Sequence, residues 1–171
     1  LLQLIVQQHL DKPVLVGHSL GGTLALRFAG EHAAMLDGVV AVDGLPVFPG
    51  MERLDAAQRQ AMAERMRVPM AAMTPAQFQA AALGYMQQIG VIDPRLAAQY
   101  APMNARSDVA ASAQYMAEDM AADGRPLLKQ AKLPILEISP YYAPDFAKPP
   151  LVMSEAQKSA MLDAALDAII T

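Results

Sequence analysis

The residues best suited to chemistry are Gly17-His18-Ser19-Leu20-Gly21, followed by Gly22. They match G-x-S-x-G, a spacing that lifts a serine hydroxyl out of a sharp turn between a strand and a helix. The run before it, Val14-Leu15-Val16, is apolar and largely β-branched, and residues 20–32 after it read as a helix. Such a turn makes Ser19 a nucleophile and sets it at a helix N-terminus, where free backbone amides and the helix dipole favour negative charge. The Leu20 N–H is the expected donor to an oxyanion developing on an attacked carbonyl. Side chains on either side of the serine would collide with the strand and the helix, so Gly17 and Gly21 are both expected to be obligatory. The competing reading is a glycine-rich turn with an incidental serine.

The elements that must hold this turn can be read outward from it. Residues 1–10 read as the end of an amphipathic helix, broken by Asp11-Lys12-Pro13. Val14–Val16 and Gly38–Val42 have the texture of buried parallel strands. Helix, strand, helix, strand is the order of a parallel α/β sheet with crossover helices. Residues 45–130 contain no convincing strand, and several helices there are punctuated by Pro and Gly. Thr74-Pro75-Ala76-Gln77 is a capping box opening a helix to about Gly90. Asp93-Pro94 opens another, and Ser107 is expected to cap a third, ended by Gly124. Strand texture returns at residues 133–138 and leads into the loop SPYYAPDFAKPP. Ser154-Glu155-Ala156-Gln157 then opens a last helix.

Composition narrows the function classes. The chain has 171 residues, 54% of them hydrophobic and 18% charged, with a net charge of −4. That suits one globular domain with a sizeable core and excludes disorder. A mildly acidic balance argues against a nucleic-acid partner. No apolar run approaches the length of a membrane span. There is no cysteine, which excludes disulfides, zinc–thiolate sites and a cysteine nucleophile. No metal-ligand spacing and no phosphate-binding loop is visible, so no metal and no cofactor is implied. Compartment and oligomeric state stay open.

The segment VLVGHSLGGTLALRFA resembles the nucleophile elbow of the α/β-hydrolase superfamily. The chain as a whole is similar to the C-terminal portion of cap-bearing bacterial serine hydrolases, in which Ser, then an acid, then a His follow one another along the sequence. The resemblance implies an α/β fold, with residues 1–44 and 131–171 as part of the hydrolase core and 45–130 as a helical cap or lid. It implies Ser19 as nucleophile, the Leu20 N–H as one oxyanion donor, and a carboxylate past the strand after the cap. Asp145 is the chosen acid, Asp43 the runner-up, and Glu137, inside a strand, the third.

The histidine is missing from this pattern. His9 and His32 fall near helix ends, and His18 is expected to point away from Ser19 and to be packed or hydrogen-bonded. No His lies beyond residue 32. The expectation is therefore a piece of a hydrolase, inactive or nearly so by itself and prone to associate through an exposed strand edge. A serine nucleophile argues against the haloalkane dehalogenase and epoxide hydrolase branches.

For substrate, the resemblance implies a small molecule with an apolar acyl or alcohol part, attacked at an ester-type bond. Nine of the 12 methionines lie between Met51 and Met120. Most are expected in the core between cap helices, with Met51, Met70 and Met73 the better pocket candidates. Leu83, Tyr85, Met86, His18, Tyr141 and Tyr142 are further candidates. An aminopeptidase would need acidic cap residues to hold an amine, and Glu52, Glu64, Glu118 and Asp119 have the spacing of solvated helix faces. An acyltransferase or carbon–carbon hydrolase would use the same residues as an esterase. A non-catalytic binding protein on the same fold is the alternative of a different class.

Overall fold

The computed structural model describes residues 1–147 and 152–166, leaving aside the side chains of Asp145 and Ala164. The chain divides into two compact units. The first comprises Leu1–Arg53, Ala122–Tyr142 and the segment from Met153 onward; the second comprises Leu54–Ala121 and Ala143–Val152. No helix among the described residues is long and apolar enough to cross a membrane.

The first unit is an open parallel sheet. Helix α1 (Leu2–Gln7) leads to β1 (Val14–His18), α2 (Leu20–His32) and β2 (Gly38–Val42). After the second unit come α7 (Arg125–Leu128), β3 (Ile135–Ile138) and α8 (Glu155–Leu166). The strands lie in the order β1-β2-β3, all parallel. Their register aligns Gly17, Ala41 and Glu137, then His18, Val42 and Ile138. One face of the sheet meets α2, which presents Ala25, Leu26, Phe28 and Ala29 to Val39 and Ala41, with Ile5, Leu36 and Leu128 closing the core. Small residues on α2 let other chain segments come close. A side chain at Gly30 would press on Leu127 of α7.

Both strands were expected to be buried; β1 is not. Among the described residues it lies at the edge of the sheet, and Val14, Val16 and His18 are exposed, Val16 by 71%. Leu136 and Ile138 of β3 lie on the same face and are also exposed. A run of valines reads alike in a central strand and in an edge strand, because hydrophobicity reports strand propensity and not the neighbours. His18 is correspondingly exposed in that row instead of packed.

The second unit pairs α3 (Ala56–Ala71) with α6 (Val109–Ala121) and α4 (Pro75–Tyr85) with α5 (Pro94–Asn104). Its buried positions are chiefly alanines: Ala63, Ala82, Ala97, Ala101, Ala113 and Ala117, with Phe78. This corrects the assignment of the methionines to that core. Met62, Met103 and Met116 are exposed, and Met66, Met70, Met73, Met86 and Met120 are only half-buried. Alanine lets helix axes approach until longer side chains are displaced to the rim.

Local signals account for most helix starts. The Thr74 and Ser154 capping boxes form as expected, and α4 continues through a wide π turn to Gly90. A further box, Asp55 with Gln58, opens α3, a helix the sequence reading did not delimit. Other boundaries differ. Asp108, not Ser107, caps α6, accepting from the Ala111 N–H at 2.8 Å. That helix ends at Ala121 and not at Gly124, because Asp123 accepts from the Arg125 N–H and pairs with its guanidinium, starting α7 instead. Helix α1 stops before Asp11, at a left-handed His9 (φ 50°).

Candidate functional site

Ser19 joins β1 directly to α2 and adopts φ 52°, ψ −125°. A non-glycine residue with positive φ is held there by its surroundings, at a cost of about 1–3 kcal/mol. The surroundings are identifiable. The Ser19 N–H donates to the Val42 carbonyl at 2.9 Å, which ties the turn to the end of β2. The Ser19 carbonyl accepts from the Gly22 N–H (2.8 Å) and the Thr23 N–H (3.1 Å). The Thr23 hydroxyl donates to the Leu45 carbonyl at 3.0 Å. Ser19 is exposed and its hydroxyl does not cap α2. Leu20 is the first residue of α2, so its N–H has no carbonyl one turn back to bond.

The glycines divide in an unexpected way. A Cβ on Gly17 would lie 2.1 Å from the Gly21 carbonyl oxygen. A Cβ on Gly21 meets nothing within 4 Å, so the expectation that both flanking glycines are obligatory holds only for Gly17. The second tight approach is between Gly22 and Gly44. A Cβ on Gly44 would sit 2.6 Å from the Gly22 Cα and 2.7 Å from the Ser19 carbonyl oxygen. Gly44 follows β2, and nothing local in the sequence marks it as part of the elbow.

The carboxyl ends of the three strands bring further groups to the same end of the sheet, where open α/β sheets carry their sites. Asp43 has a left-handed backbone (φ 54°), and its N–H donates to the Ile138 carbonyl at 2.8 Å. Its carboxylate lies 3.6 Å from the ammonium of Lys158 on α8. Glu137, two register rows below, has both carboxyl oxygens buried without a hydrogen-bond partner among the described residues, as has the Ser139 hydroxyl. Burial pushes the Glu137 carboxyl up to about 7, and the negative charge of Asp43 adds to that. The Gly44 amide, near the carboxyl but outside full hydrogen-bond geometry, and the Lys158 ammonium act in the opposite direction.

This raised value has a consequence for stability. Between 4.5 and about 7 the folded chain keeps a proton that the unfolded chain releases. Stability therefore falls as pH rises through that window. Glu137→Gln removes the effect. Relative to the parent, the variant is expected to gain about 1–2 kcal/mol at pH 8 over its standing at pH 4.5, after discounting for partial exposure. Urea unfolding of both proteins at the two pH values checks this, and an unchanged difference would refute it.

Asp145, the first choice for the acid, lies in the short 3-10 turn Ala143–Phe146 and belongs to the second unit. Met70 and Met73 belong to that unit as well, whereas Met51 is buried in the first. The Tyr141 hydroxyl donates to the Met153 carbonyl at 3.1 Å, and Tyr142 is exposed. Leu83 lines an open groove of about 400 Å³ between α4 and α5, together with Ala76, Ala80, Ala98, Pro102 and Gln79. Tyr85 is exposed and Met86 half-buried. Among the acidic candidates, Glu64 pairs with Arg67 (2.5 Å), Glu118 accepts from Gln114, and Glu52 accepts from the Gly50 N–H. No group of three or more His, Asp and Glu side chains among the described residues could hold a metal ion.

None of the three histidines stands beside Ser19 as a base. His32 packs on Phe28 at the far end of α2, about 18 Å along the axis at 1.5 Å per residue. His9 precedes the amino end of β1, opposite to the end that carries the serine. His18 belongs to the exposed row of β1.

Two solved structures share the fold. An enol-lactonase from Burkholderia xenovorans is 20% identical, with a TM-score of 0.62 over 95% of this chain and 57% of its own. A hydrolase from Pseudomonas aeruginosa is 17% identical, with a TM-score of 0.63 over 96% of this chain and 57% of its own. The chain thus spans a little over half the length of the structures it matches. No curated protein matches it significantly by sequence. The family model for the alpha/beta hydrolase family matches residues 1–168. With nearly every residue covered by that match, the chain belongs to the α/β-hydrolase family.

Proposed function

We propose that this chain carries the nucleophile, one oxyanion donor and the acid of a serine hydrolase acting on ester-type acyl bonds. The observation that carries this reading is the backbone of Ser19, an exposed serine kept at φ 52° immediately before the first turn of a helix. The Ser19 Oγ attacks the acyl carbon while its proton passes to a base. The carbonyl oxygen, now negative, lies against the Leu20 N–H. Collapse breaks the ester bond, the alcohol leaves with the proton, and water then releases the acid and restores the serine. His9, His18 and His32 do not supply the base, so the reading assigns it to a residue other than these three.

For the acid, the register favours Asp43. It follows Val42, whose carbonyl holds the Ser19 amide, and its carboxylate is exposed enough to meet a histidine. Asp145 is the alternative from chain order. The helices between Leu54 and Ala121 are read as the cap of the hydrolase.

The test is labelling with a fluorophosphonate probe, on this chain and on the full translation product of its gene. Ser19 is expected to be the labelled residue, and a folded full product left unlabelled would move a non-catalytic binding role ahead. Asp43→Asn is expected to slow labelling of the full product by about a hundredfold or more, as loss of the acid misorients the base. Asp145→Asn is expected to leave the rate within about threefold, a ratio of well under one step of 1.4 kcal/mol. The reverse result would make Asp145 the acid.

A further inference from the structure

Lys158 is the charged residue that the described part of the chain buries, 9% exposed on α8. A buried ammonium costs several kcal/mol unless acceptors surround it. Here they come from the ends of two strands. The Lys158 Nζ donates to the Pro140 carbonyl just past β3 and lies 3.6 Å from the Asp43 carboxylate just past β2. Asp43 precedes Gly44, the residue pressed against Gly22 and the Ser19 carbonyl. The loop that Lys158 grips is therefore the loop on which the elbow rests.

Three charged or titratable groups meet there: Asp43 just past β2, Glu137 in β3 and Lys158 on α8. Two carboxyls at the ends of adjacent strands repel when both are ionised. A cation between them relieves this, and a cation on a separate helix also fixes where that helix docks.

We propose that Lys158 is a positioning residue for the Ser19 site: from α8 it holds the Asp43 carboxylate in the loop beneath the elbow and offsets the charge of the two neighbouring carboxyls. This rests on the reading of Ser19 and Asp43 as nucleophile and acid, but its electrostatic half can be tested without it. Lys158→Met keeps an unbranched apolar stem, one atom shorter, and removes the charge; Lys158→Arg keeps the charge.

Two readouts separate the outcomes. The first is the titration of Glu137, followed by carbon NMR of its side-chain carboxyl. Lys158→Met is expected to move the midpoint upward and Lys158→Arg to leave it in place. An unmoved midpoint in the folded methionine variant would overturn the proposal whatever Ser19 does. The second is the rate of fluorophosphonate labelling at Ser19 in the full translation product. A loss of about tenfold in Lys158→Met with recovery in Lys158→Arg is expected, whereas equal rates would deny any positioning role. If Ser19 labels in no form, the function reading fails, and the NMR result still decides the charge arrangement. Should the methionine variant not fold, amine acylation of the parent chain supplies the answer. Lys158 is expected to react far more slowly than the exposed Lys12, Lys129 and Lys132, and equal reactivity would overturn the burial on which the proposal stands.

Discussion

Gly17→Ala is expected to unfold the chain or cost it about 4 kcal/mol or more, while Gly21→Ala costs nothing and gains up to about 1 kcal/mol. The two glycines flank the same serine and read identically in the sequence. Their surroundings differ. The added methyl at Gly17 would lie 2.1 Å from the Gly21 oxygen and 2.6 Å from the Gly22 nitrogen, both backbone atoms in the first turn of α2. Backbone in a helix that packs on the sheet cannot move aside as a flexible side chain can. At Gly21 there is open space, and alanine in a helix limits the freedom of the unfolded chain. Gly44→Ala should resemble Gly17→Ala, since its methyl would meet the Gly22 Cα at 2.6 Å. Urea unfolding of the three variants tests all of this at once. Equal effects at positions 17 and 21 would refute the described elbow.

Ser19→Ala is expected to abolish fluorophosphonate labelling of the full translation product, a loss of at least about a thousandfold, and to leave stability nearly unchanged. Ser19→Gly should lose the label equally and gain about 1–2 kcal/mol of stability. The two properties of this residue are separable. Its hydroxyl does not cap the helix, so nothing in the cap is lost with it. Its backbone sits at φ 52°, where any Cβ is strained and glycine is not. A serine kept in a conformation that glycine would hold more cheaply has a use for its side chain. Thermal melting together with mass-spectrometric mapping of the label checks both halves. A glycine variant less stable than the parent would mean that the serine is structural.

These expectations show how far local patterns reach. The elbow was legible because its whole signature occupies one short window, with valines before it, glycines within it and a helix after it. Helix starts at Thr74, Asp93 and Ser154 were legible for the same reason, since a cap is a bond between residues two or three apart. The alternation in β1 was not, because whether a valine in a strand is covered depends on what lies over that face. The alanine core of the helical unit was missed because an alanine has the same appearance in a buried seam as on an exposed helix face.

The sequence by itself determined the family-like order of strand, serine turn, helix and strand, and the residue types offered for attack and for an acid. Backbone preferences and caps act over a few residues, so they are written where they act. Only the tertiary structure decided that Gly44 rather than Gly21 shares the burden of the elbow, that Asp43 stands at the serine's end of the sheet, and that Lys158 reaches it from the last described helix. Those are distances between residues far apart along the chain. They follow from strand register and from the depth to which a helix packs, and no short stretch of sequence contains either.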